Sequence, residues 1–304
     1  MSKLFKTIEE QIALPNMRGV KTDSDTSTIL LRESYYSIVN GYKEPFMDRE
    51  ASDIAQDDRC KKGTEFSDLH SLFKLDRNLR EATFYYLIRA EALVRTVCSY
   101  TFSEAHRKPD SYLDQSNFAS DSEEEYAAYG LTNYRFNLQK LHSALFNKAN
   151  KSNREFIEHY RSNHSSIPLW VLSNDMTFGN IEHFCNLMKP DEQLLVCKRI
   201  VDATGKTGSK YGFFSTKEMR IGLDALVKFR NICAHDERLY CAQVGGRKHV
   251  DYVHMLAYLR RYITESEFRE LVERVAMLVD EFSDESEAVS HVLAKMGFGS
   301  IGSE

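Results

Sequence analysis

The chain has 304 residues, 42% hydrophobic and 28% charged, with a formal net charge of -5 at pH 7. That is the composition of a globular protein with core enough for one large or two ordinary domains, and it excludes a surface that is basic throughout, though not a local basic groove. No run of eighteen apolar residues occurs, and the start Met-Ser-Lys-Leu-Phe-Lys lacks an apolar core of signal-peptide length, so neither a membrane span nor secretion is expected.

Glycine (14) and proline (5) are sparse, and long segments carry the 3.6-residue period, which predicts an all-α chain. The spacing predicts a short helix over residues 3–13 ended by Pro15, then a polar turn Arg18-Gly19-Val20-Lys21. A second helix is expected from Thr26 to Val39, with Ile29, Leu30, Tyr36 and Val39 inward and Gly41 and Pro45 as breakers. Residues 47–64 are rich in Asp, Arg and Lys and read as a loop, so residues 1–64 form an N-terminal helical segment packed on a core domain over 65–296.

The longest periodic run goes from Ser67 to about His106, through Leu69, Leu72, Phe73, Leu79, Tyr86, Leu87, Ala90, Leu93, Val94, Val97 and Cys98. At 1.5 Å per residue it would span about 60 Å, so a kink or break is expected. Glu91 and Arg95 are spaced for an ion pair. Residues 109–130 are acidic and polar and read as a solvated loop. Helices come next over Leu131–Phe146, with Leu138, Leu141 and Leu145 on one face, and around Phe156, Ile157 and Tyr160. Asp191 to Val201 behind Pro190 is another, as is Tyr252 to Ile263, with a flexible turn over Gly205 to Lys210 and a basic turn over Val244 to His249. Thr264 and Glu267 make a capping box for a last helix lined by Phe268, Leu271, Val275, Leu278 and Phe282, and residues 297–304 read as a frayed tail.

Several chemistries are missing. There is no His-Glu-x-x-His, and the ten histidines do not cluster with cysteines at ligand spacing, so no metal or other cofactor is expected. Gly205-Lys206-Thr207 resembles the end of a phosphate-binding loop, but Ile200 stands where its first glycine is required and no strand precedes it. No Gly-x-Ser-x-Gly elbow is present. The six cysteines are scattered without a Cys-x-x-Cys pair, and Cys233 lies on an apolar face where a thiol is usually inert; a reduced, cytoplasmic protein is the expectation.

What remains is Arg230-Asn-Ile-Cys-Ala-His235, set in a helical stripe of Leu223, Leu226, Val227, Phe229 and Cys233. Asn231 and His235, four apart, would share one helix face, while Arg230 sits about 140° round from His235. These residues alone fit two readings. In one, the histidine is buried or interfacial and the arginine pairs with Asp236 or a distant carboxylate. In the other they cut RNA, whose 2′-hydroxyl already lies beside the scissile phosphate. Histidine can then move the proton, arginine can hold charge on the phosphorane, and Asn231 can orient either. One such set is thin for two proton transfers, so a second copy from a symmetric partner would complete it.

The string resembles the R-x4-H motif of HEPN-superfamily ribonucleases and, extended through Arg238-Leu-Tyr240, the abortive-infection (Abi) proteins of the AbiD/AbiF type. The resemblance covers roughly residues 8–260. It is carried by Gln11-Ile12, Arg18-Gly19, Tyr35-Tyr36 and Gly41-Tyr42, then Phe66 through Phe73, Asp76-Arg77, Leu79-Arg80, Glu91 and Arg95, and finally Pro168, Trp170 and Phe178-Gly179. Asn174-Asp175 departs from the pattern, since family members often carry a glutamate soon after the tryptophan. The resemblance implies a HEPN-type helical bundle with additional N-terminal helices, and a metal-independent endoribonuclease of bacterial anti-phage defence or a toxin. Arg230 and His235 would be its catalytic pair, Asn231 a supporting residue, and a homodimer would bring two motifs into one cleft. The alternative is a non-catalytic module that binds RNA or protein, with an RNA or protein antitoxin as a further expected partner. Arg238, Arg247 and Lys248 near the motif, and Lys148, Lys151 and Arg154, are the candidate RNA contacts.

Overall fold

The computed structural model describes residues 4–120, 134–245, 249–295 and 297–298. Among them all regular structure is helical; strand pairing is limited to the isolated bridges Lys21–Glu65, Met47–Cys60 and Val244–Val250. No helix among the described residues is long and apolar enough to cross a membrane.

Local capping sets where the first helices lie. Helix α1 (Ile8–Met17) starts at Thr7, whose side chain and that of Glu10 satisfy each other's backbone N–H groups in a capping box. The helix therefore begins later than the periodicity predicts and runs through Pro15 into its last turn. Gly19, at φ 88°, then makes the expected turn. Helix α2 (Thr26–Glu33) is shorter than predicted, because Ser34 adopts φ 65° and resets the helical phase of the residues after it. In the π-helical turn Tyr36–Asn40, Ile38 and Val39 point inward and Tyr36 is 77% exposed, the reverse of the expectation for Tyr36. The supposed loop contains helix α3 (Arg49–Ala55), capped by Asp48, which accepts from Ala51 N. It buries nothing, so apolar periodicity could not reveal it.

Helix α4 (Phe66–Ala105) is one unbroken element of 40 residues. The expected break is absent, and the sequence of α4 holds neither Gly nor Pro to cause one. Helices α5 (Tyr134–Lys151) and α6 (Glu155–Asn163) come next, with Leu138, Leu141 and Leu145 buried as predicted. Of the predicted acidic loop, residues 121–130 lie outside the described residues, as do residues 131–133 of the next helix. The chain continues through α7 (Leu169–Leu172), α8 (Phe178–Leu187), α9 (Pro190–Ala203) and α10 (Thr216–Ala234). It ends with α11 (Tyr252–Leu259), α12 (Glu265–Glu285) and α13 (Glu287–Lys295). Thr264 and Glu267 form the predicted capping box. Of the predicted frayed tail, Phe298 is buried, and residues 299–304 lie outside the described residues.

The chain divides into two compact units. The first comprises Met1–Thr83, His235–Ala242 and Glu270–Glu304, the second Phe84–Ala234 and Gln243–Arg269. Composition alone places a boundary near residue 64; in the structure the division falls inside α4, and the first unit is completed by chain from beyond residue 234. Its core gathers Leu69, Leu72 and Leu79 of α4, Leu239 and Tyr240, and Leu271 and Val275 of α12. In the second unit α10 packs on α8, α9 and α11 around Met219, Leu223, Leu226 and Phe229. Gly222 permits the close approach of α11: a Cβ there would stand 3.2 Å from Tyr258 Cδ1.

Candidate functional site

Arg230 and Asn231 occupy the last turn of α10, in the second unit. Phe229 beside them is fully buried, which turns the next two positions outward. Arg230 Nε donates to Glu91 Oε2 at 3.1 Å, and its guanidinium stands 5.9 Å from the Phe84 ring centre. The other oxygen of Glu91 accepts from Arg95 Nη2 at 2.7 Å. One carboxylate, 6% exposed, thus serves two arginines, although its spacing in sequence points only to Arg95. Arg230 Nη1 also donates to Asn231 Oδ1 at 3.4 Å, so these two candidates are adjacent.

His235 lies beyond the helix. α10 ends at Ala234, and Asp236 takes the left-handed conformation at φ 57°, so His235 stands at the C-terminal cap of the helix, one position past its last helical residue. Aspartate tolerates that backbone region better than most residues, which makes Asp236 a suitable stop. The imidazole is exposed.

In the first unit, the residues just after His235 are held by a buried polar cluster. Asp76 is fully buried and accepts from the backbone N–H of Leu239 at 3.1 Å and of Tyr240 at 2.6 Å. It also accepts from the Tyr42 hydroxyl and from Arg80 Nη1, both at 2.7 Å. Arg80 Nη1 donates further to the Glu237 carbonyl at 3.2 Å, and its Nη2 pairs with the Asp236 carboxylate. Tyr240 stacks on Tyr42 with ring centres 5.7 Å apart. Arg238 Nη1 donates to the Gly41 carbonyl at 2.9 Å. Burial pushes the Asp76 carboxyl up, against the pull of Arg80, the Tyr42 hydroxyl and the two amides. Burial likewise raises the phenols of Tyr42 and Tyr240. Sequence reasoning did not single out Asp76 or Arg80 for this role, yet a signal was there: both interrupt the apolar stripe Leu69, Leu72, Phe73, Leu79 with charge.

The second basic cluster is arranged around an acid. Lys148 Nζ donates to the Asp175 carbonyl and lies 3.4 Å from its Oδ2, and Arg154 Nε stands 3.5 Å from Oδ1. Lys151 is exposed. Arg247 and Lys248 lie outside the described residues. Lys206, of the phosphate-loop-like tripeptide, is buried and donates to the carbonyls of Arg260 and Ile263; burial lowers its ammonium to about 8. Among the described residues no three His, Cys, Asp or Glu side chains are grouped so as to hold a metal ion.

The cluster joins Tyr42, Asp76, Arg80 and the Arg238-Leu-Tyr240 string in one unit, and a family model bears on the same span. The model for Abi-like protein matches residues 28–241. The chain belongs to the Abi-like protein family. The matched span runs from α2 to just past the clamped segment, so it contains both carboxylate clusters and the whole Arg230–His235 string. No curated protein and no solved structure matches the chain. The family name points to abortive-infection defence.

Proposed function

We propose that this Abi-like protein is a metal-independent endoribonuclease of a bacterial abortive-infection or toxin-type defence, of the HEPN kind and AbiD/AbiF type. His235 transfers the proton, Arg230 stabilises the phosphorane, and Asn231 orients the guanidinium beside it. Attack by the RNA 2′-hydroxyl leaves a 2′,3′-cyclic phosphate and a 5′-hydroxyl. The observation that carries the reading is the treatment of His235 itself. An exposed imidazole stands at the head of a segment in which Arg80 holds Asp236 and Glu237 and a fully buried carboxylate takes the amides of Leu239 and Tyr240. A histidine kept only for packing would be buried, and a surface histidine without a function needs no such footing. A homodimer would supply a second His235, so that one copy accepts the 2′-hydroxyl proton while the other protonates the leaving 5′-oxygen.

The test is cleavage of RNA by purified protein in EDTA, comparing wild type with His235→Ala. We expect loss of about 10²- to 10⁴-fold in turnover with the fold intact; equal rates for the two proteins overturn the assignment.

One observation favours a second reading. Arg230 is already tied to Glu91, which it shares with Arg95, as in a side chain that shapes a surface rather than one that waits for a phosphate. On that reading the protein binds RNA or a protein partner without cutting, under control of an RNA or protein antitoxin. Arg230→Ala separates the two: a binder loses affinity for RNA, whereas a nuclease keeps binding and loses turnover.

A further inference from the structure

The cluster around Asp76 has a geometry that a stability role alone does not need. A buried Asp–Arg pair four apart on one helix would satisfy itself. Here both members reach out to a segment more than 150 positions further along the chain. Asp76 takes the amides of Leu239 and Tyr240, and Arg80 takes the carbonyl of Glu237 and the side chain of Asp236. Every contact that Asp76 and Arg80 make with the segment, except the Asp236 pair, falls on main chain, so what the two residues fix is the path of residues 236–240. That path begins at the residue immediately after His235. Asp236 is fixed twice, once by its left-handed backbone and once by its pairing with Arg80. The position from which the imidazole projects is therefore set by charge-assisted hydrogen bonds inside the first unit.

We propose that Asp76 and Arg80 are positioning residues for His235: they hold the segment that carries it, and the chemical step depends on them while RNA binding does not. This rests on the ribonuclease reading above. A reacting group misplaced by about 1 Å can cost on the order of 10²-fold in rate, which is the size of effect expected when the segment loosens.

Two variants test it, each in the full chain beside wild type and His235→Ala. Asp76→Asn keeps the shape and removes the charge. Asp236→Asn keeps a residue that accepts the left-handed backbone, lies at an exposed side chain, and removes the charge that Arg80 and, more weakly, Arg77 feel there. Steady-state cleavage of an RNA oligonucleotide should show kcat lowered about 10- to 100-fold for Asp76→Asn and about 10-fold for Asp236→Asn, with KM unchanged within about two-fold. Amide hydrogen exchange should speed up at Leu239 and Tyr240 in Asp76→Asn. If Asp76→Asn does not fold, Asp236→Asn decides alone.

The outcomes separate cleanly. Cleavage that depends on His235 but proceeds at wild-type kcat in the folded variants overturns the positioning role and leaves the nuclease reading standing. A kcat loss matched by an equal loss of RNA affinity also overturns it, because the segment would then be a binding surface. Identical rates for wild type and His235→Ala overturn both.

Discussion

Asp76 and Glu91 both project from α4 and both are almost fully enclosed, yet they grip different things. Asp76 accepts from two backbone amides, a tyrosine hydroxyl and one arginine, and all of those donors belong to its own unit. Glu91, in the second unit, accepts from two guanidinium groups, Arg95 and Arg230, whose side chains are about a quarter exposed. A carboxylate bonded to main chain defines a path and cannot let go without unfolding that path. A carboxylate bonded to long, partly solvated side chains defines an orientation and can release it at modest cost. The first is a footing and the second a rest. For a protein proposed to need a fixed histidine and an arginine able to turn to a phosphate, the two arrangements are apt to the two residues.

The contrast is tested most severely by Arg80→Ala, which leaves Asp76 buried and without its cation. We expect a loss of about 3–5 kcal/mol, read as a drop in the urea midpoint. A loss below about 1 kcal/mol would show that the amides and Tyr42 suffice and that the footing does not need its charge pair. Glu91→Gln should cost less, roughly 1–2 kcal/mol, because Arg95 and Arg230 can turn to water. A Glu91→Gln penalty as large as that of Arg80→Ala would erase the distinction between the two carboxylates.

The smallest effect is a control with a half-buried acid. Glu182, in the second unit, is raised to about 7, chiefly by burial and then by the nearby Asp224 carboxylate. Its folded-state value lies above the unfolded one, so its contribution is complete below the unfolded carboxyl range and is lost as pH rises through about 7. Wild type should therefore melt lower at pH 8.5 than at pH 6, by a few degrees, and Glu182→Gln should flatten that difference. If the difference persists unchanged in Glu182→Gln, the pH dependence arises elsewhere and burial of a poorly partnered acid is not its source.

Much of the fold is legible in the sequence. The inner faces of α5, α10 and α12 can be read from the period of Leu138, Leu141 and Leu145, of Leu223, Leu226 and Phe229, and of Leu271 and Val275. The capping box at Thr264 can be read from two residues. Elements without a buried face, such as α3, leave no such trace, and a single backbone reversal at Ser34 was enough to turn Tyr36 outward. Of the candidate site, the adjacency of Arg230 and Asn231 was readable. The end of α10 at Ala234 was not, because nothing in the apolar period marks where Asp236 turns.

The linear chain carries enough to establish an all-α protein, its family, and which string holds its distinctive polar residues. Short-range periodicity and the order of motif blocks are both properties of the unfolded sequence, and no folding is needed to read them. How those blocks meet is a matter of packing. Asp76 and Tyr240 lie more than 160 positions apart, and no local propensity relates them; their bond exists because packing brings a buried, desolvated carboxylate to amides that would otherwise lack an acceptor. The same holds for Glu91 and Arg230. The string from Arg230 to Tyr240 is thus ordered by tertiary contacts at both ends, its arginine by one carboxylate of α4 and the chain after its histidine by another.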